Sequence, residues 1–414
     1  MTNWEKLRKE QWPVLETMTF LDAACVSFAP QKTVQVIKEF ADFTTRQEEE
    51  NSSAHHISMD RKRQKAYLEG CRLLNAEPEE IAVVESTSHG LNIAANAIEL
   101  THGDNIVTTN LEFIQVALPW CMLRKEKNFE IRVLKTPDSS FHADDFKNIC
   151  DKHTRIVVIS SVEWCNGWRM NLKEIGDFCE SNGIFLVVDA VQELGVCNID
   201  TKEIHVDLLV AGGHKWLNSP FGSGVLYINK NTIPLLQQTY FGYLNTKEPK
   251  DGWGAYWENP KALSVNDWEF NMTARKFEIG GTSNYVGTIA LGETLELVNS
   301  IGIDNIEKRV HQLSTYCMDQ IENIGGTLIT NRTNGRYAGI VTARFFEDLA
   351  IERRILANLH KKRVYVAMRF TDNVGGFRIS CHYFNNERDI DALVRVLSEE
   401  INKIGRKPDY KRPW

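Results

Sequence analysis

Lysine seldom sits directly behind an apolar, strand-forming run. In AGGHKW (211–216), Lys215 follows DLLVA (207–211) closely. A lysine at the buried end of a parallel strand is costly unless it has a partner or a covalent role. Desolvated there, its amine gives up a proton readily and can attack a carbonyl, which Schiff-base chemistry requires. Gly212 and Gly213 would let a bulky ligand approach the main chain. One run earlier, Asp189 ends IFLVVD (184–189), and Gln192 lies three residues on. A carboxylate in that place can keep a pyridine nitrogen protonated and turn the ring into an electron sink; taken alone, helix capping is its commoner duty. Further upstream, ESTSHGLN (85–92) follows IAVV (81–84) and opens a helical pattern with Leu91, Ala95 and Ile98 on one face. The Thr87 and Ser88 hydroxyls, the Ser88 and His89 backbone N–H groups and the helix dipole predict an anion cradle there, with an ordinary N-cap as the alternative. No Walker A motif or G-x-G-x-x-G after a strand offers another phosphate site.

These residues need a scaffold. Between about residues 80 and 230, β-rich runs alternate with amphipathic stretches: IAVV, NIVT (105–108), IRVL (131–134), RIVVIS (155–160), IFLVVD, DLLVA and GVLYI (224–228). Near-continuous apolar strands separated by helical segments predict an α/β fold with a large, mostly parallel sheet covered by helices on both faces. In such sheets ligands sit beyond the carboxyl ends of the strands, where Asp189 and Lys215 fall. After about residue 290 the strands IVTARF (340–345), VYVAM and FRIS (377–380) are sparser, and a last helix presents Ile390, Leu393, Leu397, Ile401 and Ile404 behind Asn386 as N-cap. That predicts a small α+β C-terminal domain. The expected division is an N-terminal segment (1–20) packed on the small domain, a large domain (21–288) and the small domain (289–414).

The 414 residues are 43% apolar, enough for a sizeable core, and a net charge of −7 argues against a nucleic-acid or membrane-surface binder. The basic residues Lys403, Arg406, Lys407, Lys411 and Arg412 read as a solvated tail. MTNWEKLRKEQW has no apolar core, so no secretory leader is expected, and no apolar run is long enough to span a bilayer. Nine cysteines lie singly, without C-x-x-C, which predicts reduced thiols in a cytoplasmic protein. His55–His56 has no ligand-spaced partner, so no metal is expected.

Taken together, Asp-x-x-Gln, Gly-His-Lys and the Thr-Ser-x-Gly-x-Asn loop resemble the class V aminotransferase-like branch of fold-type I enzymes dependent on pyridoxal 5'-phosphate (PLP). The resemblance extends from FLDAAC (20–25) to FRIS. The branch includes cysteine desulfurases, selenocysteine lyases, C–S lyases, kynureninase and isopenicillin N epimerase-like proteins. The resemblance implies that Lys215 is the Schiff-base lysine and the proton-transfer base, that Asp189 pairs with the pyridine nitrogen, and that Gln192 bonds the ring hydroxyl. It implies Thr87, Ser88, His89 and His214 for the phosphate, with Thr282 in EIGGTSN (278–284) reaching the phosphate of a neighbouring subunit, hence a homodimer with shared sites. Phe113, in NLEFIQVALPW (110–120), stands where desulfurases stack a histidine on the ring; phenylalanine stacks equally well but cannot transfer a proton. Arg378 matches the arginine that grips the substrate α-carboxylate.

The sequence departs from the desulfurase pattern in places. The segment before Arg378, VYVAMRFTDNVGGFR, is short and lacks the cysteine that would carry a persulfide. Cys25 replaces a Thr or Ser near the site mouth, Glu163 and Trp164 replace a polar residue and an asparagine, and WGAYW (253–257) reads as a lid, a substrate wall or an interface patch. The expected activity is Cα deprotonation of an amino acid, best as a β-eliminating C–S lyase without a persulfide cysteine. The alternatives are epimerisation, with His55 or His56 as the opposite-face acid, and transamination.

Overall fold

A computed structural model describes residues 2–414. Helix α1 (Trp4–Gln11) and the two-residue strand β1 (Thr19–Phe20) lead into helices α2 (Gln31–Phe43), α3 (Ser52–Lys62) and α4 (Gln64–Leu74). Strands and helices then alternate: β2 (Ile81–Val84), α5 (Thr87–Ala97), β3 (Asn105–Thr109), α6 (Ile114–Lys127), β4 (Glu130–Leu134), α7 (Ala143–Ile149), β5 (Thr154–Ser160), α8 (Leu172–Ser181) and β6 (Phe185–Asp189). Strands β7 (Leu208–Gly212) and β8 (Gly224–Ile228) complete a seven-stranded sheet of order β2-β8-β7-β6-β5-β3-β4. All its pairings are parallel except those of β8, which runs against both β7 and β2.

Alternate residues of the central strands enter opposite cores. Val157, Ile159, Leu186, Val188 and Leu209 face one core. Ile156, Val158, Val187, Leu208 and Val210 face the other. Both faces are dry, which is why these runs read as continuously apolar.

The alternation stops at β6. Between β6 and β7, and between β7 and β8, the chain forms turns instead of helices. Those irregular segments carry Gln192, His214 and Lys215, so the site is built on loops springing from two adjacent strands.

Beyond β8 come the short helix α9 (Gly252–Glu258) and the long helices α10 (Tyr285–Ile301) and α11 (Ile303–Asn323). The chain continues through β9 (Thr327–Leu328), β10 (Ile340–Arg344), α12 (Leu349–Lys361), β11 (Val364–Tyr365), β12 (Ala367–Thr371), β13 (Val374–Ser380) and α13 (Glu387–Ile404). Strands β12-β13-β10-β9 form an antiparallel sheet with its own core. The boundary expected at residue 288 falls inside α10. Leu291, Leu295 and Val298 of that helix are buried in the large-sheet core, as are Ile306 and Val310 of α11, whereas Leu313, Cys317, Met318 and Ile321 enter the core of the antiparallel sheet, so the packing changes along α11. The N-terminal segment is tied to α13 by a buried Arg8–Asp389 ion pair (2.7 Å), while Trp12 and Leu15 enter the large core.

Helix α5 lies on β7 through Gly90, where an added Cβ would overlap the Val210 side chain. Alanine favours a helix over glycine by about 1 kcal/mol, but overpacking costs about 1–3 kcal/mol. Gly90→Ala is expected to lower the thermal unfolding midpoint. A midpoint at or above wild type in calorimetry would show that α5 is not held against β7 this tightly.

Candidate active site

Parallel pairing of β6 with β7 sets Asp189 opposite Val210, so the site lysine follows five residues beyond its neighbour strand's register point. The connecting loop is pinned by Gly213 N–H donating to the Ser223 carbonyl (2.8 Å) and Ser219 N–H to the Gly213 carbonyl (2.8 Å). Asp189 is 3% exposed; Oδ1 accepts the Val191 N–H at 2.9 Å, and no other protein donor reaches the carboxylate among the described residues. Burial raises its pKa to about 6, opposed by Lys215. Burial likewise lowers Lys215 to about 8, opposed by Asp189. Yet no carboxylate of the described residues lies within 4.0 Å of the amine. The two groups share a field and do not touch. Those residues suit a planar heteroaromatic aldehyde: Asp189 would hold a protonated ring nitrogen and Lys215 would react with its carbonyl.

Phe113, at the start of α6, places its ring centroid 5.8 Å from the Lys215 amine and packs edge-on against Trp164 at 5.3 Å. Gln192 is buried, and its amide is largely committed: Oε1 accepts the Trp216 indole N–H (2.8 Å) and Nε2 donates to the Ala24 carbonyl (3.2 Å). One N–H remains for a ring hydroxyl.

The anion cradle needs a correction. Ser86 is the N-cap of α5, and its hydroxyl takes the His89 N–H at 3.1 Å. The free first-turn donors are therefore the Thr87 and Ser88 N–H groups, and His89 can offer only its ring. The Thr87 hydroxyl accepts the Gly212 N–H (2.9 Å), clamping α5 to the end of β7. The His214 ring stacks on Phe221 at 5.1 Å and is held neutral, its pKa lowered to about 4 by burial and then by Lys215.

Arg378 lies on β13 and is 2% exposed. Its guanidinium donates to the Trp164 carbonyl at 3.2 Å and to Asp22 at 3.3 Å, while Nε has no partner. The sequence reading missed Asp22 and Arg369. Arg369, on β12, pairs with Gly376 of β13, which puts it on the face of Arg378, and it donates to the Cys25 sulfur at 3.8 Å. A hairpin signal was available: Asp372 and Asn373 form a two-residue turn with φ of 45° and 66°. That turn fixes the register from which the shared face follows.

Behind Asp189 lie two more buried acids. Glu112 accepts the Ser160 N–H and its hydroxyl (2.6 Å), and Thr109 Oγ1 lies 2.7 Å from Glu163 and 3.3 Å from Glu112. Burial raises both pKa values, with Asp189 adding to the effect.

Other candidates lie apart. His55 stacks on Phe43 (4.6 Å), and His56 meets the Tyr285 hydroxyl (2.9 Å). Thr282 is exposed. The WGAYW aromatics line a cavity of about 880 Å³ with Tyr243 and Trp268. No cluster of metal-binding side chains occurs among the described residues, and none of their helices is long and apolar enough to cross a membrane.

The family model for aminotransferase class V matches residues 19–393. The chain belongs to that family. It is therefore a PLP-dependent enzyme of fold type I. A probable cysteine desulfurase of Pyrococcus abyssi is 26% identical, covering 97% of this chain and 98% of its own. An uncharacterized aminotransferase of Schizosaccharomyces pombe is 29% identical over 80% of this chain and 81% of its own. Among solved structures, the apo cysteine desulfurase of Thermococcus onnurineus superposes with a TM-score of 0.84 at 22% identity, covering 97% of this chain and 99% of that one. The cystine C–S lyase C-DES, solved with cysteine persulfide, gives 0.83 at 21% identity, covering 94% and 99%. These folds share the architecture described above.

The lowered Lys215 pKa fixes a pH dependence for the cofactor-free protein. Below about pH 8 both folded and unfolded states hold the proton, and the buried charge is a constant cost. Between about 8 and the ordinary lysine value of 10.5 the unfolded state binds more protons, so stability rises with pH. Lys215→Met should therefore stabilise the apo-protein at pH 7, by at most about 3 kcal/mol, with the gain shrinking from pH 8 to 10.5. Denaturant unfolding across that range checks it; a gain independent of pH would contradict it.

Proposed function

We propose that this enzyme is a β-eliminating lyase acting on cysteine-derived amino acids, without a persulfide relay. The proton-transfer inventory carries the reading. Lys215 is the base, and the group beside it is Phe113, which can stack on a ring and cannot return a proton. PLP, when bound, supplies an electron sink that acidifies the substrate Cα–H. Lys215, poised near neutrality, takes that proton. Arg378 holds the α-carboxylate through its planar fork and so fixes which Cα bond stands ready to break. Asp189 keeps its charge for the ring nitrogen. His214, Thr87, Ser88 and the His89 ring are the phosphate ligands in this reading. A leaving group on Cβ then departs with its electron pair, which requires no second acid on the opposite face.

The two-residue turn between β12 and β13 speaks against sulfur relay, since it leaves no loop upstream of Arg378 to carry a mobile thiol. Cys381 is fully buried. Epimerisation would need an acid opposite Lys215, and within this chain His55 and His56 pack on Phe43 and Tyr285 instead. Thr282, exposed in its own chain, suits a shared site in a homodimer.

S-alkylcysteines incubated with the holoenzyme should yield pyruvate and ammonium without any added keto acid. Lys215→Ala should abolish the reaction, and Arg378→Gln should raise KM by about ten- to a hundredfold. Alanine with enzyme-bound persulfide, racemised substrate, or dependence on a keto acid would each replace the lyase reading.

A further inference from the structure

The aromatic segment WGAYW borders a cavity of about 880 Å³ that the chemistry at Lys215 leaves unused. Trp253 is the hub of its walls. Trp257 lies nearly parallel to it at 6.0 Å and Trp268 at 5.8 Å, while Tyr243 and Tyr256 meet it edge-on at 5.1 and 5.7 Å. Rings set both parallel and perpendicular make a box, so ring faces as well as edges border the space. The wall is anchored: the Leu244 N–H donates to the Gly280 carbonyl (3.2 Å), and Gly242 packs on Gly280 so closely that an added Cβ would overlap it.

Charge sorts the occupants this box can take. Aromatic faces are negative and attract cations. Yet among the described residues no lysine or arginine stands over any of these five rings. The one charged residue of the lining is Asp267, which forms no ion pair among the described residues. Lys247, beside the lining residue Thr246, pairs with Glu269 instead. The box therefore offers negative potential that the chain itself does not neutralise. An ammonium bearing N–H groups would need acceptors there. Several are already taken: the Ser264 carbonyl by the Trp268 indole N–H (3.0 Å), the Leu263 carbonyl by the Tyr256 hydroxyl (3.0 Å), and Asn266 Oδ1 by the Asp267 N–H (2.9 Å). A quaternary ammonium has no N–H to satisfy. Its methyl groups pack on the rings while its charge faces them and Asp267.

We propose that this cavity binds a small quaternary ammonium ligand, distinct from the amino-acid substrate. Within this chain it shares no lining residue with Lys215, Asp189, Phe113 or Arg378. The inference goes beyond the lyase reading and does not rest on it.

Three probes separate charge, shape and N–H groups. Choline and 3,3-dimethyl-1-butanol have nearly the same shape and differ in charge, whereas ethanolamine keeps the charge and brings N–H groups. Each is titrated calorimetrically into the holoenzyme. Choline should bind about five- to thirtyfold more tightly than the neutral alcohol, and more tightly than ethanolamine. Asp267→Asn should weaken choline and leave the alcohol unchanged, and Trp253→Leu should abolish the preference. Equal binding of choline and the alcohol, binding of neither, or ethanolamine matching choline overturns the assignment. So does a preference that survives Trp253→Leu. If that variant does not fold, the ranking of the three probes on wild type and on Asp267→Asn decides the matter. Affinity for S-methyl-L-cysteine, read from cofactor absorbance, should be the same with and without saturating choline. Competition between the two would overturn a ligand distinct from the substrate.

Discussion

A buried amine and a buried carboxylate held near one another, and kept from pairing, are the constraint on which the rest of this structure depends. Direct contact would satisfy both charges and leave nothing for a ligand. Separation leaves each group partly desolvated and half-satisfied, which lowers one pKa and raises the other. The parallel β6–β7 pair enforces the gap, because one group ends its strand while the other sits on a pinned loop beyond its own. The strain is local and electrostatic. It is relieved when something polar and planar fills the space.

Everything near that gap clamps its walls. Thr87 ties α5 to β7, and Gly90 lets the helix approach closely enough for the tie to form. Gln192 spans from Trp216 to the Ala24 carbonyl, joining the lysine loop to the segment after β1. Arg378 reaches across to Asp22 and Trp164. The walls thus come from segments more than three hundred residues apart in sequence.

This explains what the sequence disclosed. Lys215 and Asp189 were legible because each interrupts an apolar run at its carboxyl end, a local signal of burial plus charge. The large sheet was legible for the same reason, since strands buried on both faces leave continuous apolar runs. Its helix-free crossovers after β6 were not, because turn-rich and helical connections look alike when both are short and mixed. The N-cap Ser86 was not singled out, since Ser86, Thr87 and Ser88 are three consecutive hydroxyl residues and each satisfies the same pattern. Arg369 and Asp22 were invisible for a different reason: their meaning lies in a contact with Arg378 that only tertiary structure creates.

The acids behind Asp189 show how its charge is kept available. Glu112 has the better shell, taking the Ser160 N–H and hydroxyl. Thr109 Oγ1 already accepts the Leu111 N–H (3.2 Å) and has a single proton to give. That proton goes to Glu163 Oε1 at 2.7 Å, the nearer of its two carboxylate neighbours, Glu112 lying at 3.3 Å. Complete burial, with the nearby Glu112 and Asp189 adding to it, raises the Glu163 pKa well above the ordinary carboxylate range and favours the neutral acid. Holding it neutral removes one negative charge from the neighbourhood of Asp189, whose ionised form is the one a pyridine N–H needs. A second fixed anion there would push Asp189 toward protonation and lose the ring's electron sink.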